Sequence, residues 1–336
     1  MFLKLRLSNK YFLLFAVLFW ASIQNSHADG FVFRKYAGEF MDIGVSPRAQ
    51  GMGGAFTAIS GDIAAAYYNA AGLYGIKSSQ ISFMHTQQML ASVNYDYLSF
   101  GRYQTENSVI AVSLVRLGID NIKDSRAAQV LINGNPDNWR LDWNKIKEFN
   151  AADYVFAFSM AHRWAHGWIL GGNIKLIRRN LADHSANGIG FDLGIQRKFF
   201  RNLTVAANAR NATTTLIAWD TGEKEMVKPS FYLGSTYLLN IHGINSSFQP
   251  AVDLIFRGEG WQKSARAYWG IVSFDFAAGI EYGYHNTIFI RTGIDEIRRL
   301  NMGVGVNIPH VRIDYAYTNY DQELGNSHRI GLLVKF

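Results

Sequence analysis

His162 and His166 stand four residues apart in this 336-residue chain, the spacing that sets two imidazoles on one side of a helix for a metal ion. Here the spacing falls on a strand end and turn, so the pair reads as polar and interfacial. Asp183, His184 and Ser185 bring an acid, a base and a hydroxyl together in sequence. A nucleophile needs its base within hydrogen-bond reach, and three consecutive loop residues do not supply that arrangement. Gly51-Met52-Gly53-Gly54 lacks the Gly-Lys-Ser/Thr ending by which a phosphate loop grips a nucleotide. Cysteine is absent, which removes thiolate nucleophiles, thiolate metal sites, disulfides and a lipid-modified N-terminal Cys. The residues therefore predict no enzyme, no metal and no cofactor.

A different set of charged residues falls at alternate positions within apolar runs: Asp153, Arg163, Lys175, Arg179, Asp192, Asp253, Arg257, Asp275, Glu281, Arg291 and Asp314. Strand side chains alternate faces, so each run carries an apolar face and a polar one. The clearest case is Leu300, Met302, Val304, Val306 and Ile308, which alternate with Asn301, Gly303, Gly305 and Asn307. Tyr154 to Ala161 and Ile189 to Gln196 repeat the pattern. A face of Gly, Asn, Asp and Gln cannot meet lipid, so it should line a lumen while the bulky face meets the bilayer. There the charges either set the selectivity of the lumen or, more simply, pair across neighbouring strands and hold whatever fills the interior.

Fourteen such segments can be counted, near 79–87, 93–103, 107–117, 152–164, 167–179, 187–198, 202–211, 229–239, 247–257, 268–284, 286–295, 299–308, 310–318 and 327–336. The predicted fold class is all-β, a transmembrane antiparallel β-barrel. Short connections at 104–106, Ala165-His166, 199–201, Tyr284-His285 and Pro309 alternate with longer ones at 118–151, 212–228 and 318–326. That alternation suits short periplasmic turns and long outer loops, with 118–151 an external lid. A secreted β-sandwich would alternate too. The barrel is preferred because aromatics recur near strand ends, at Tyr95 and Tyr97, Trp164 and Trp168, Tyr268 and Trp269, and Tyr315 and Tyr317, as interfacial girdles require.

Both ends of the chain agree. Lys4, Arg6 and Lys10 precede an apolar run from Tyr11 to Ala21, and Ser26-His27-Ala28 forms a small-x-small cleavage site, so residues 1–28 read as a signal peptide. The last strand places His328, Ile330, Leu332, Val334 and Phe336 on one face, and the terminal Phe336 reads as the signal for barrel assembly machinery. Subtracting the three signal-peptide cations from the formal +7 leaves +4, scattered over strands and turns, which argues against nucleic acid. The expected location is the cell outer membrane, as a monomer among its lipids.

Residues 29–75 break the strand pattern. Glycine and alanine are dense between Gly44 and Leu73, Asp62 can cap a short helix through Tyr67, and such a segment cannot face lipid. It is expected inside the barrel, 76–336, as a plug or hatch.

Ser46-x-Arg48-Ala49-x-Gly51-Met52-Gly53-Gly54-Ala55-Phe56, then Gly61-Asp62 and Tyr67-Tyr68-Asn69-x-Ala71-Gly72-Leu73, resembles the N-terminal signature of the PorV/PorQ family, within the wider FadL-like outer-membrane superfamily. Arg312-Ile313-Asp314-Tyr315-Ala316-Tyr317 and Leu324 to Phe336 are similar to the same family's C-terminal pattern. Ala70 stands where the family usually has Pro, which frees that turn's φ. The resemblance implies a fourteen-stranded barrel with an N-terminal hatch. FadL-like members pass long-chain fatty acids or other hydrophobic compounds, whereas PorV-type members receive cargo of the type IX secretion system and hand it to a surface attachment complex. A hydrophobic ligand would meet the hatch residues Met52, Gly53, Gly54, Phe56, Asp62, Tyr67, Tyr68, Asn69, Gly72 and Leu73. Secretion-system proteins would dock on outer-loop aromatics, for which Trp139, Trp143, Trp219 and Trp261 are candidates.

Overall fold

The computed structural model describes residues 31–33, 38–88, 92–132, 135–200, 202–258, 265–320 and 325–336. The expected signal peptide and Trp261 lie outside the described residues. Fourteen antiparallel strands close into one barrel. They are β1 Gln80–Gln88, β2 Val93–Thr105, β3 Ser108–Asp124, β4 Lys147–Arg163, β5 Trp168–Leu181, β6 His184–Phe199 and β7 Leu203–Arg210. The second half comprises β8 Ser230–Tyr237, β9 Ser246–Arg257, β10 Val272–Tyr284, β11 Ile288–Ile294, β12 Leu300–Ile308, β13 Val311–Thr318 and β14 Ser327–Lys335. Closure comes from β1, which pairs with β2 on one side and with β14 on the other, Gln80 opposite Lys335. No sheet edge remains there, so the backbone is satisfied without water.

The predicted alternation holds. Phe156, Phe158 and Met160 on β4 are outward and exposed while Val155, Ser159 and Ala161 are buried within. On β12, Met302, Val304 and Val306 face out and Asn301 is buried. Exposed apolar side chains continue around the wall, a belt that belongs in hydrocarbon rather than water. Among the described residues no helix is long and apolar enough to cross a membrane. Tyr95 and Tyr97 depart from the expected girdle: both fall on the inward parity of β2 and are fully buried against the interior. Trp164, Tyr268 and Trp269 do lie exposed near strand ends.

Short turns gather at one end, and the terminal Phe336 N–H donates to the Ser79 carbonyl there at 3.0 Å. Longer connections gather at the other. The segment expected as a lid over 118–151 is shorter, because Ile122 and Phe149 carry the β3–β4 ladder outward past a bulge at Asn121 (φ 59°). The remaining loop folds its own hairpin, Gln129–Ile132 against Asn135–Leu141.

The interval expected as an outer break after β7 instead continues the wall. Thr215–Trp219 pairs with the outer half of β6 and turns back as Lys224–Val227. Residues Phe31–Phe33 then add a parallel strand to Lys224–Val227.

Candidate functional site

Residues 38–76 occupy the lumen. Ser46 caps helix α1 (Pro47–Gly51), accepting from the Ala49 N–H, and Pro47 stands at the first turn where its missing N–H costs nothing. Gly53 and Gly54 then turn the chain at φ 68° and 81°, and a Cβ on Gly53 would come within 2.5 Å of the Ile294 backbone. Asp62 Oδ1 accepts the Ala64 N–H ahead of helix α2 (Ala65–Tyr68), close to the predicted cap. Asn69 closes the helix, accepting from the Ala71 N–H and donating to the Thr57 carbonyl. Ala70 begins the 3-10 turn Ala70–Gly75.

Side chains of the wall hold this backbone. Asn173 donates to the Ala66 carbonyl and Asn208 to the Tyr68 carbonyl, at 2.9 and 2.8 Å. Asp253 accepts from the Phe56 and Thr57 N–H groups and the Thr57 hydroxyl. Arg329 donates to the carbonyls of Ile43 and Gly44. Met52, Phe56 and Leu73 are fully buried as packing of the segment.

At the centre, six charges close a ring. Arg48 pairs with Asp62 at 3.2 Å and Glu281 at 2.6 Å; Glu281 pairs with Arg291 at 2.5 Å; Arg291 with Asp314 at 2.8 Å; Asp314 with Arg312 at 2.7 Å; and Arg312 returns to Asp62 at 2.5 Å. Three arginines and three carboxylates alternate, so each charge has two opposite neighbours and the ring is neutral. Arg48 and Asp62 come from the plug, the other four from β10, β11 and β13. Burial pushes the Asp62 carboxyl up, but Arg312 and Arg48 outweigh it and hold it well below the usual carboxylate range. Among the other wall charges, Lys175 pairs with Asp192, Arg179 with Asp153 and Glu225, and Arg257 with Glu296, while Asp253 binds the plug at Phe56 and Thr57. The plainer of the two expectations for these residues therefore describes them. Arg163 alone of that set is exposed, at the end of β4.

Described residues form two small cavities beside the plug. One, about 80 Å³, lies toward the long loops among Gly53, Gly54, Tyr68, Tyr232, Glu296 and Arg299. The other, about 40 Å³, lies between the plug and β3 to β7, lined mainly by apolar atoms of residues such as Val115 and Val155 and reaching Asn211. Asp42, Tyr67 and Arg210 border both. Next to the second cavity the wall is irregular. Residues 190–192 of β6 face 210–215, with Asn211 and Thr214 at φ 52° and 65° and the Ala212 N–H donating to the Phe191 carbonyl. Across the ladder Phe191 lies level with Ile174, Phe158 and Val112, in the apolar belt.

The residues singled out for chemistry do not assemble. His162 bonds the Ser108 hydroxyl at 2.8 Å, and His166 sits in a turn at φ 57°. His184 and Ser185 each turn to Asp220 rather than to one another. Among the described residues no three His, Asp or Glu side chains could hold a metal ion. Trp139 and Trp143 are exposed in the 125–146 loop, whereas Trp219 is partly buried under Arg179. Phe336 points outward and stacks near Phe100. Arg48, Arg312, Asp42 and Arg210 were not among the sequence candidates. For Arg312 the signal was present, since it shares the parity of Asp314.

No protein-family model and no curated protein matches the chain. Solved structures share its fold. The Ralstonia pickettii toluene transporter TbuX aligns with TM-score 0.57 at 13% identity, over 87% of this chain and 98% of its own. The CymD monoaromatic hydrocarbon channel gives TM-score 0.56 at 11% identity, over 91% and 99%. A Pseudomonas aeruginosa FadL homologue gives 0.50 at 11%, over 86% and 96%. The chain thus shares the fold of these barrels, of which TbuX is named a toluene transporter and CymD a hydrocarbon channel.

Proposed function

We propose that this protein lets a small hydrophobic compound pass the outer membrane, with the plug as a hatch. The observation that carries the reading is a cavity lined mainly by apolar atoms, ending where the wall bulges at the level of the lipid belt. A compound reaching that point meets the break between β6 and β7, where Lys175, Asp192, Asn211 and Thr215 are bonded to one another, and leaves there only when that network and the plug yield. The fold shared with proteins named as toluene transporter and hydrocarbon channel supports it. The neutral ring supports a plug held to the wall by ion pairs as well as by apolar packing.

The test uses the absence of cysteine in the chain. Arg48→Cys with Glu281→Cys is purified, and toluene uptake into proteoliposomes is followed before and after a short bifunctional thiol cross-linker. Uptake that exceeds protein-free vesicles and falls on cross-linking is expected. Uptake equal to that of empty vesicles overturns the reading.

A second reading follows the PorV/PorQ resemblance, in which the barrel serves a type IX secretion system as a partner. Trp139 and Trp143, 52% and 73% exposed, favour it as aromatic anchors. Native mass spectrometry of the protein extracted from its own membrane separates the two: a retained hydrophobic compound supports passage, and a stoichiometric protein partner with an empty lumen supports the secretion role.

A further inference from the structure

Arg210 closes the wall shared by the two cavities, and it is held differently from the arginines of the ring. Each ring arginine has two carboxylate partners, both buried. Arg210 has a single carboxylate partner among the described residues, Asp42 at 3.1 Å, whose side chain is 38% exposed. Water reaches the carboxylate side of this pair and competes for it. The Nε of Arg210, buried, has no acceptor. The rest of its environment is aromatic: its guanidinium lies over the rings of Tyr232, Tyr67 and Tyr68 at 4.4, 4.9 and 5.7 Å. The side chain thus fills an aromatic box, held there by the Asp42 carboxylate and by a 3.4 Å hydrogen bond that its Nη1 donates to the Tyr232 hydroxyl.

Size gives the consequence. A benzene-sized guest fills an apolar cavity of about 150 Å³, and neither cavity reaches that, at about 80 and 40 Å³. Together with the volume of the arginine side chain between them they do. The joined space would run from the long-loop end to Asn211, where the wall strand breaks.

We propose that Arg210 is an internal gate: leaving Asp42, it joins the two cavities into one chamber that takes a neutral compound of about one aromatic ring, seated on Tyr67, Tyr68 and Tyr232. The proposal rests on the passage reading above and assigns its constriction.

The test places a reporter cysteine beyond the gate, Ser113→Cys, which lines the deeper cavity on β3. The full-length protein in liposomes is treated with a small charged methanethiosulfonate reagent. Asp42→Asn leaves the bulk of Arg210 in place and removes only its carboxylate partner. It should speed labelling at least tenfold, and toluene should slow that labelling where hexadecanoate does not. Arg210→Ala sets the upper limit, and a heat-dependent gel shift checks that each barrel is folded. If Arg210→Ala labels fast and Asp42→Asn no faster than the parent, Arg210 is a fixed filler and the gate is overturned. If labelling rises as expected while toluene crosses in no variant, the gate stands and the passage reading fails. If toluene crosses at the same rate in all of them and labelling does not change, passage stands and the gate is lost.

Discussion

Charge neutrality at Arg48 depends on two carboxylates, and removing the arginine strands neither completely. In Arg48→Ala, Asp62 keeps Arg312 and Glu281 keeps Arg291, but the remaining five charges carry a net −1 in the barrel interior. Breaking a buried pair from one side costs about 3–5 kcal/mol, and the surviving partners put this case at the low end. The plug of Arg48→Ala should become cleavable by trypsin in detergent while the barrel keeps its heat-dependent mobility shift. Asp62 adds a pH dependence with a definite sign. Its carboxyl is depressed in the folded protein, so the stabilisation is present above the unfolded carboxylate pKa of about 3.9 and is lost as pH falls through the lower folded value. Pepsin at about pH 3 should therefore leave the plug of the parent intact and cut that of Asp62→Asn. Asp62, Glu281, Arg291 and Asp314 stood out in the sequence as charges on inward parities or beside glycines. Arg48 did not, since nothing in a five-residue helix says which lumen charge its side chain will meet.

Strands were legible element by element because a period of two survives local irregularity. Glycine inside them was not read for what it does. Gly171 on β5 faces the plug, and a Cβ there would overlap the backbone nitrogen of Ala71. The flat glycine surface is what lets the 3-10 turn Ala70–Gly75 lie directly on the wall. Gly171→Ala should cost about 1–3 kcal/mol, as overpacking does, and should loosen the plug rather than the barrel. Hydrogen exchange would report it as lost protection in residues 65–76 with β4 to β6 unchanged; uniform loss across the barrel would refute that division. The lid and the break after β7 were misjudged for a related reason. Polar residues at 120–124 and 220–225 look like loop composition, and the apolar run Thr215–Trp219 is short, but ladders extending beyond the membrane need no long apolar outward face, so the pairing goes on where the sequence signal fades.

Taken whole, the molecule is a wall whose sequence pattern is repetitive and a plug whose pattern is not, which is why fold class and strand number could be read ahead of structure while the fit between the two could not. The plug's contacts reach across more than 200 residues, from Arg48 to Glu281 and from Gln50 to Asn301, and no local window contains them. That fit also decides what the resting protein does in a membrane. Among the described residues, the space left beside the plug includes two cavities of about 40 and 80 Å³, both bordered by Arg210. Planar bilayers containing the parent protein should carry no steady ion current. Because the ring joins the plug to β10, β11 and β13 at one point, weakening it should not remove the plug outright, since Asn173, Asn208, Asp253 and Arg329 hold it elsewhere. Arg48→Ala should instead give brief openings of variable size, the signature of a tethered plug rocking in place. A stable porin-like conductance in the parent would mean that the packed lumen is not the resting state, and silent bilayers for Arg48→Ala would mean that the wall asparagines and Asp253, not the ring, fix the plug.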